Sequence, residues 1–220
     1  GTAPIFIYCR LLSSAYPSAM PRIARAVAVG VPHHLTQRGN FGVDVFADDA
    51  QRRQYLAWLA DYAGRYGARF LAYCLMSNHV HFVVIPGRAE SLGRTFNQTH
   101  MRYAQWLNRQ AGRRGHLWQG RFFSCALEEP HLCAAIRYVE RNPVRAKLVT
   151  RAEAYAWSSA PAHVSGGADP LLAPADWLKE AMPDWAAFLR GSEDVKRVEA
   201  LRHTTRTGRP LGGEAFVKKI

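Results

Sequence analysis

The stretch from Arg69 to Pro86 constrains this chain most. Two apolar runs, 69–76 and 79–85, are separated only by Ser77-Asn78. Runs rich in Val, Phe, Ile and Tyr read as strands, and so short a link makes them an antiparallel hairpin. The second run is His79-Val80-His81-Phe82-Val83-Val84-Ile85. Successive strand side chains point to opposite faces. Val80, Phe82 and Val84 therefore make an apolar face for a core, and His79 and His81 share the other with Val83 and Ile85. Two imidazoles on one face can hold one divalent metal through nitrogen. A strand end with two half-exposed histidines is the plainer alternative.

The flanking elements extend the hairpin into a fold. Val31–Arg38 alternates loosely and reads as a first strand, ended by Gly39-Asn40. Asp48, with Gln51 three residues later, opens a helix that runs to Tyr66 and stops at Gly67. Asp44, Asp48 and Asp49 could be read as a carboxylate metal cluster, but capping explains Asp48 better and the metal reading is set aside. Ser91 is expected to cap a second helix with Leu92, Phe96, Tyr103 and Leu107 on one stripe. A fourth strand is expected within Leu117–Leu127, centred on Phe122 and Phe123. Strand, helix, strand, strand, helix, strand is the order of a ferredoxin-like split β-α-β palm, an α+β fold with an antiparallel sheet. Both helices cover one face, which leaves the histidine face open. A further helix over 131–141 follows Pro130, and the chain from about 166 onward divides into short helical pieces ending in a basic segment, Arg202–Lys219.

The 220 residues are enough for one sizeable domain with extensions. Apolar residues at 48% can fill a core, which excludes a disordered chain. Lys plus Arg number 29 against 17 Asp plus Glu, a net charge of +12 that points to a polyanion, nucleic acid first. Four scattered cysteines without a Cys-x-x-Cys pair signal neither a disulfide framework nor a zinc knuckle, and fit a reducing cytoplasm. No apolar run reaches membrane-spanning length, so no membrane partner is expected. The division expected is 1–19 as an extension or a cloning leftover ahead of Met20, 20–160 as the catalytic domain, and 161–220 as a helical or irregular C-terminal extension with a basic tail.

Tyr138 and Asn142 lie four residues apart. A continuous helix would put them on one face, with Asn142 offering a carbonyl oxygen and Tyr138 a phenol able to attack phosphorus. Asn142-Pro143 equally suits the start of a new helix, with Tyr138 an ordinary half-buried tyrosine.

Several stretches, in order, resemble one family. They are Met20-Pro-Arg-Ile-Ala-Arg, Val31-Pro-His-His-Leu-Thr-Gln-Arg-Gly-Asn40, Tyr73-Cys-Leu-Met-Ser-Asn-His-Val-His-Phe-Val-Val, Gly115-His-Leu-Trp-Gln-Gly-Arg-Phe-Phe, Tyr138-Val-Glu-Arg-Asn-Pro-Val-Arg-Ala-Lys-Leu-Val, Trp157-Ser-Ser and Thr207-Gly-Arg-Pro-Leu-Gly. Together they resemble the REP-associated tyrosine transposases, single-strand transposases with a His-hydrophobic-His motif and one catalytic tyrosine. The resemblance implies a catalytic helix on the open sheet face, Tyr138 as nucleophile, and His79, His81 and Asn142 as ligands of Mg²⁺ or Mn²⁺. It also implies sequence-specific cleavage and strand transfer on single-stranded hairpin DNA through a 5′-phosphotyrosine, releasing a 3′-OH without ATP.

Arg38, Arg102, Arg114, Arg121, Arg145, Lys147 and Arg209 are the candidate phosphate contacts, and Trp118 and Phe122 either stack on unpaired bases or pack in the core. The protein is expected as a monomer or homodimer, cytoplasmic and nucleoid-associated in a bacterium. Two other readings exist. A non-catalytic single-stranded nucleic-acid-binding protein on the same sheet would carry aromatics where this strand carries histidines. A replication-initiator or relaxase relative would carry a longer histidine cluster or a second tyrosine beside Tyr138.

Overall fold

A computed structural model describes residues 26–220; the 1–19 extension and the Met20 motif lie outside them. The order of elements begins β1 (His33–Arg38), α1 (Asp49–Tyr66), β2 (Ala68–Leu75), β3 (His79–Pro86), α2 (Ser91–Gln110) and β4 (Phe123–Ala126). The sheet runs β2-β3-β1-β4 with every pair antiparallel, which is the ferredoxin-like order. Local chemistry sets the boundaries. Asp48 accepts the Gln51 amide at 2.8 Å at the start of α1, and Gly67, at φ 68°, closes it in the left-handed conformation. A Cβ on Gly39 would lie 2.2 Å from the Val43 carbonyl oxygen, so only glycine lets that loop fold under the β2–β3 turn.

Several expected boundaries shift: the first strand begins at His33, and the helix expected after Pro130 begins at Glu129 with Pro130 in its first turn. Ser91 is the first residue of α2 rather than its cap; its hydroxyl donates to Tyr66 O at 2.6 Å and accepts from Arg88 N, tying α2 to the end of α1. β4 is only four residues long and centred on Ser124 and Cys125, because Phe122 turns into the core ahead of it.

Val80, Phe82 and Val84 face α1 and α2 in a core with Tyr55, Leu59, Phe96 and Tyr103. A bulge at Leu71 lets both Phe70 and Tyr73 join this side. The opposite face, left open by α1 and α2, carries a second core. There α3 (Glu129–Glu140), α7 (Trp185–Arg190) and α8 (Val195–Thr207) cover Ala72, Cys74, Val83 and Cys125 with Leu132, Ile136, Val139, Leu189 and Leu201. The short helices α4 (Asn142–Arg145), α5 (Ala160–Ser165), α6 (Asp176–Ala181) and α9 (Glu214–Lys219) complete the chain.

Both sheet edges are occupied. Leu75 N donates to Trp157 O, and Ser159 N to Tyr73 O, along the rim of β2. Leu211 N donates to Ala126 O beyond β4. Covering edges in this way satisfies backbone groups that would otherwise pair with another chain. Among the described residues no helix is long and apolar enough to cross a membrane.

Candidate active site

The strand register brings the site together. On β1, Thr36 lies opposite His81 and Arg38 opposite His79. His34, two residues from Thr36 on the same face, reaches the adjacent histidine diagonally. Its ring stacks on His81 with centroids 5.3 Å apart, and its Nε2 lies 3.1 Å from His81 Nδ1. His79 Nδ1 lies 2.6 Å from the side-chain oxygen of Asn78. Tyr138, on α3, stands edge-on to both His34 and His81 at 5.6 Å. Its ring is stacked against the Arg145 guanidinium at 4.1 Å, and Arg202 Nε donates to its hydroxyl at 3.2 Å.

These groups border a cavity of about 540 Å³, lined by His34, Thr36, Gln37, Arg38, His79, His81, Gln119, Phe123, Tyr138, Arg202, Thr205 and Arg206. The lining holds three arginines and no carboxylate, which suits an anion. A second hollow, about 590 Å³ among α5, α6 and α7, has none of the histidine and tyrosine set.

Burial and neighbouring cations keep the histidines uncharged. Burial, then the Arg145 charge, pushes His34 down to about 3. Burial, then Arg38 and Arg145, lowers His79 to about 4. His81 is held well below 6.5 by burial and then by His34, His79 and the arginines. Neutral imidazoles are the form that ligates metals. With each Nδ1 already engaged, Nε2 is the atom left on both rings. This donor set fits a divalent ion completed by oxygens from elsewhere, since among the described residues no group of three His, Cys, Asp or Glu could hold one.

The other expected residues divide. Asn142 is buried, is absent from the cavity lining, and turns its amide nitrogen back onto Tyr138 O and Val139 O at 3.3 and 3.2 Å. Pro143 has no N–H for Val139 O, and the asparagine amide supplies one instead. Arg38 lines the cavity. Arg114, Arg121, Lys147 and Arg209 are exposed. Arg102 lies over Trp58 at 4.7 Å on the helix layer, and is not brought to the cavity. Arg145 is already engaged by Glu193 at 2.8 Å and by Tyr138 O.

Trp118 and Phe122 are packing residues, 8% and 4% exposed in the helix-side core. Trp118 stacks on His100 at 4.4 Å and donates to its carbonyl. The aromatic that does face the cavity is Phe123, 45% exposed. Sequence reasoning passed over His34, Phe123, Arg202, Thr205 and Arg206. Only the His33-His34 doublet at even spacing from Arg38 carried a signal.

No curated protein matches the chain. Among solved structures, it is similar to a REP-associated tyrosine transposase bound to a REP hairpin, with a TM-score of 0.54 and 17% identity over 71% of this chain and 93% of that one. It is more loosely similar to a candidate transposase from Deinococcus radiodurans R1, with a TM-score of 0.35 and 18% identity over 55% of this chain and 96% of that one. The first likeness concerns the fold, and the second is too loose to support an argument. The IS200-like transposase model matches residues 31–142. That span, just over half of the chain, runs from β1 to Asn142 and contains His34, His79, His81 and Tyr138: the chain belongs to the IS200-like transposase family.

Proposed function

We propose that this member of a family of DNA transposases is a metal-dependent endonuclease and strand transferase for single-stranded hairpin DNA of the REP type. The observation that carries the reading is the cavity in which three neutral histidines, one tyrosine and three arginines meet without a carboxylate. The similar fold solved with a REP hairpin bound supports that choice of DNA.

Tyr138 is the nucleophile in this reading. Arg202 Nε holds its oxygen and Arg145 packs its ring, so the phenol is positioned before DNA arrives. Attack on the scissile phosphorus forms a 5′-phosphotyrosine, breaks the bond to the 3′ oxygen and releases a 3′-OH. One phosphodiester replaces another, so the step is reversible and needs no ATP. Arg38, Arg202 and Arg206 neutralise the phosphate as charge builds on its oxygens. His79 and His81 would hold a Mg²⁺ or Mn²⁺ through Nε2, and Asn142 would have to turn its side chain out of its contacts with Tyr138 O and Val139 O to serve as the third protein ligand. When bound, the ion supplies Lewis-acid polarisation of the scissile phosphate. Phe123 offers a ring face to an unpaired base at the cavity mouth.

The test is cleavage of end-labelled DNA hairpins, from repeats flanking the gene, in Mn²⁺ or Mg²⁺. His79→Ala with His81→Ala should abolish cleavage and leave hairpin binding largely intact. Loss of binding with cleavage would make the histidines structural or DNA-contacting instead.

A further inference from the structure

His81 has a chain of hydrogen bonds behind it that begins on the C-terminal helix. Thr205, on α8, donates its single hydroxyl proton to Leu201 O at 2.7 Å, one turn back. Its oxygen lone pairs then face His34 Nδ1 at 2.7 Å and Cys125 Sγ at 3.1 Å, and both of those groups must donate to it. The proton of the neutral His34 ring is thereby placed on Nδ1, and its Nε2 becomes an acceptor. His34 Nε2 lies 3.1 Å from His81 Nδ1, so the proton of His81 sits on Nδ1 in turn. What remains on His81 is the Nε2 lone pair. The series is buried throughout: His34, Thr205 and Cys125 are 1–2% exposed. Burial keeps solvent from competing for these bonds, and the tautomer follows from the geometry of a single threonine hydroxyl.

We infer that Thr205 and His34 form a positioning relay that fixes His81 as the Nδ1–H tautomer and so presents Nε2 to a metal. This rests on the reading of His81 as a ligand given above. His79 is fixed separately by the Asn78 side-chain oxygen, so the two ligands are oriented by different parts of the chain. Thr205 lies beyond the 31–142 span of the family match. The C-terminal extension therefore sets the chemical state of a ligand on the central strand, in addition to covering the sheet.

The experiment uses full-length protein with ¹⁵N-labelled histidine. Long-range ¹H–¹⁵N spectra of the metal-free protein assign each ring's tautomer. His81 is expected as Nδ1–H in the unsubstituted protein and as a mixture in Thr205→Val. MnCl₂ titrations by calorimetry should then give a Kd about 10- to 100-fold weaker for Thr205→Val, as for other groups that orient a ligand. Thr205→Ser keeps the hydroxyl and should restore both the tautomer and the affinity. His34→Gln offers an amide oxygen to His81 and should bind Mn²⁺ far more tightly than His34→Leu. Thermal melts of each variant separate loss of the relay from loss of the fold.

A protonated His81 Nε2 in the unsubstituted protein would overturn the relay. So would a folded Thr205→Val whose tautomer and Mn²⁺ affinity are both unchanged. If the unsubstituted protein shows the expected tautomer but binds no Mn²⁺, the relay stands and the metal reading falls.

Discussion

At the scale of single residues, Arg145 shows how position changes a role. The sequence offers it as one cation among many available to phosphate, yet its guanidinium is shared among the Glu193 carboxylate, the Tyr138 carbonyl and the face of the Tyr138 ring. Removing it leaves the Glu193 carboxylate with Arg141 alone, at 3.6 Å, and loosens the Tyr138 ring. Arg145→Ala should lower unfolding stability by about 1–3 kcal/mol in urea melts. It should slow cleavage while leaving the salt dependence of hairpin binding unchanged. Arg145→Lys should not rescue, because the planar fork makes the contacts.

His79, His81 and Tyr138 were legible because strand alternation and one motif mark them. His34, Arg202 and Thr205 were not: each reaches the cavity only through a strand register or a helix packed from far along the chain. Trp118 stayed open between base stacking and core packing for the same reason. Exposed Gln119 and Arg121 follow it closely, and only its pairing with Gly39 and its stacking on His100 place the ring in the core.

At the scale of elements, the hairpin, α1, α2 and the strand order could be read from periodicity and turn chemistry. The second core could not, because α6 and α7 are only six residues each and the partners of α6, α7 and α8 lie far back along the chain. Deleting residues 203–220 was the obvious way to test the basic tail, but that cut falls within α8 and removes Thr205 together with the Leu211 pairing at the β4 edge. Charge-removing substitutions are cleaner. Arg206→Gln and Arg209→Gln should leave the melting curve in place. Each should reduce the slope of log K against log salt by about 0.7 if its guanidinium neutralises a phosphate.

The end of α3 is pinned by buried Glu140. Its carboxylate accepts from Ser159, His163 and Trp185 at 2.5, 2.5 and 2.7 Å. Glu140→Ala should cost about 3 kcal/mol or more in equilibrium unfolding, because buried Ser159 and Trp185 and half-buried His163 lose their shared acceptor. Tyr138, half a turn away, should lose its place with it.

At the scale of the whole molecule, buried neutral histidines link stability to pH. Burial lowers His100, in the helix-side core, to about 3, where its ring meets the Tyr55 hydroxyl at 2.9 Å. Below about pH 6.5 the unfolded chain binds a proton that the native chain refuses, so stability is full above that pH and falls as pH drops toward 3. His34 and His79 act in the same direction. Urea melts between pH 7.5 and 4.5 should show the decline, and His100→Gln should make it shallower by about 1.4 kcal/mol per pH unit within the window.

In the proposed function, Tyr138 of this basic, two-core molecule attacks DNA. Purified protein mixed with labelled single-stranded hairpins in Mn²⁺ or EDTA, beside Tyr138→Phe, tests it on a denaturing gel. A covalent protein–DNA band that needs Mn²⁺ and disappears in Tyr138→Phe is the predicted result. Hairpin binding with no covalent band, in Mn²⁺ or Mg²⁺ and across several hairpins, would contradict it and make the protein a DNA-binding module on a transposase fold.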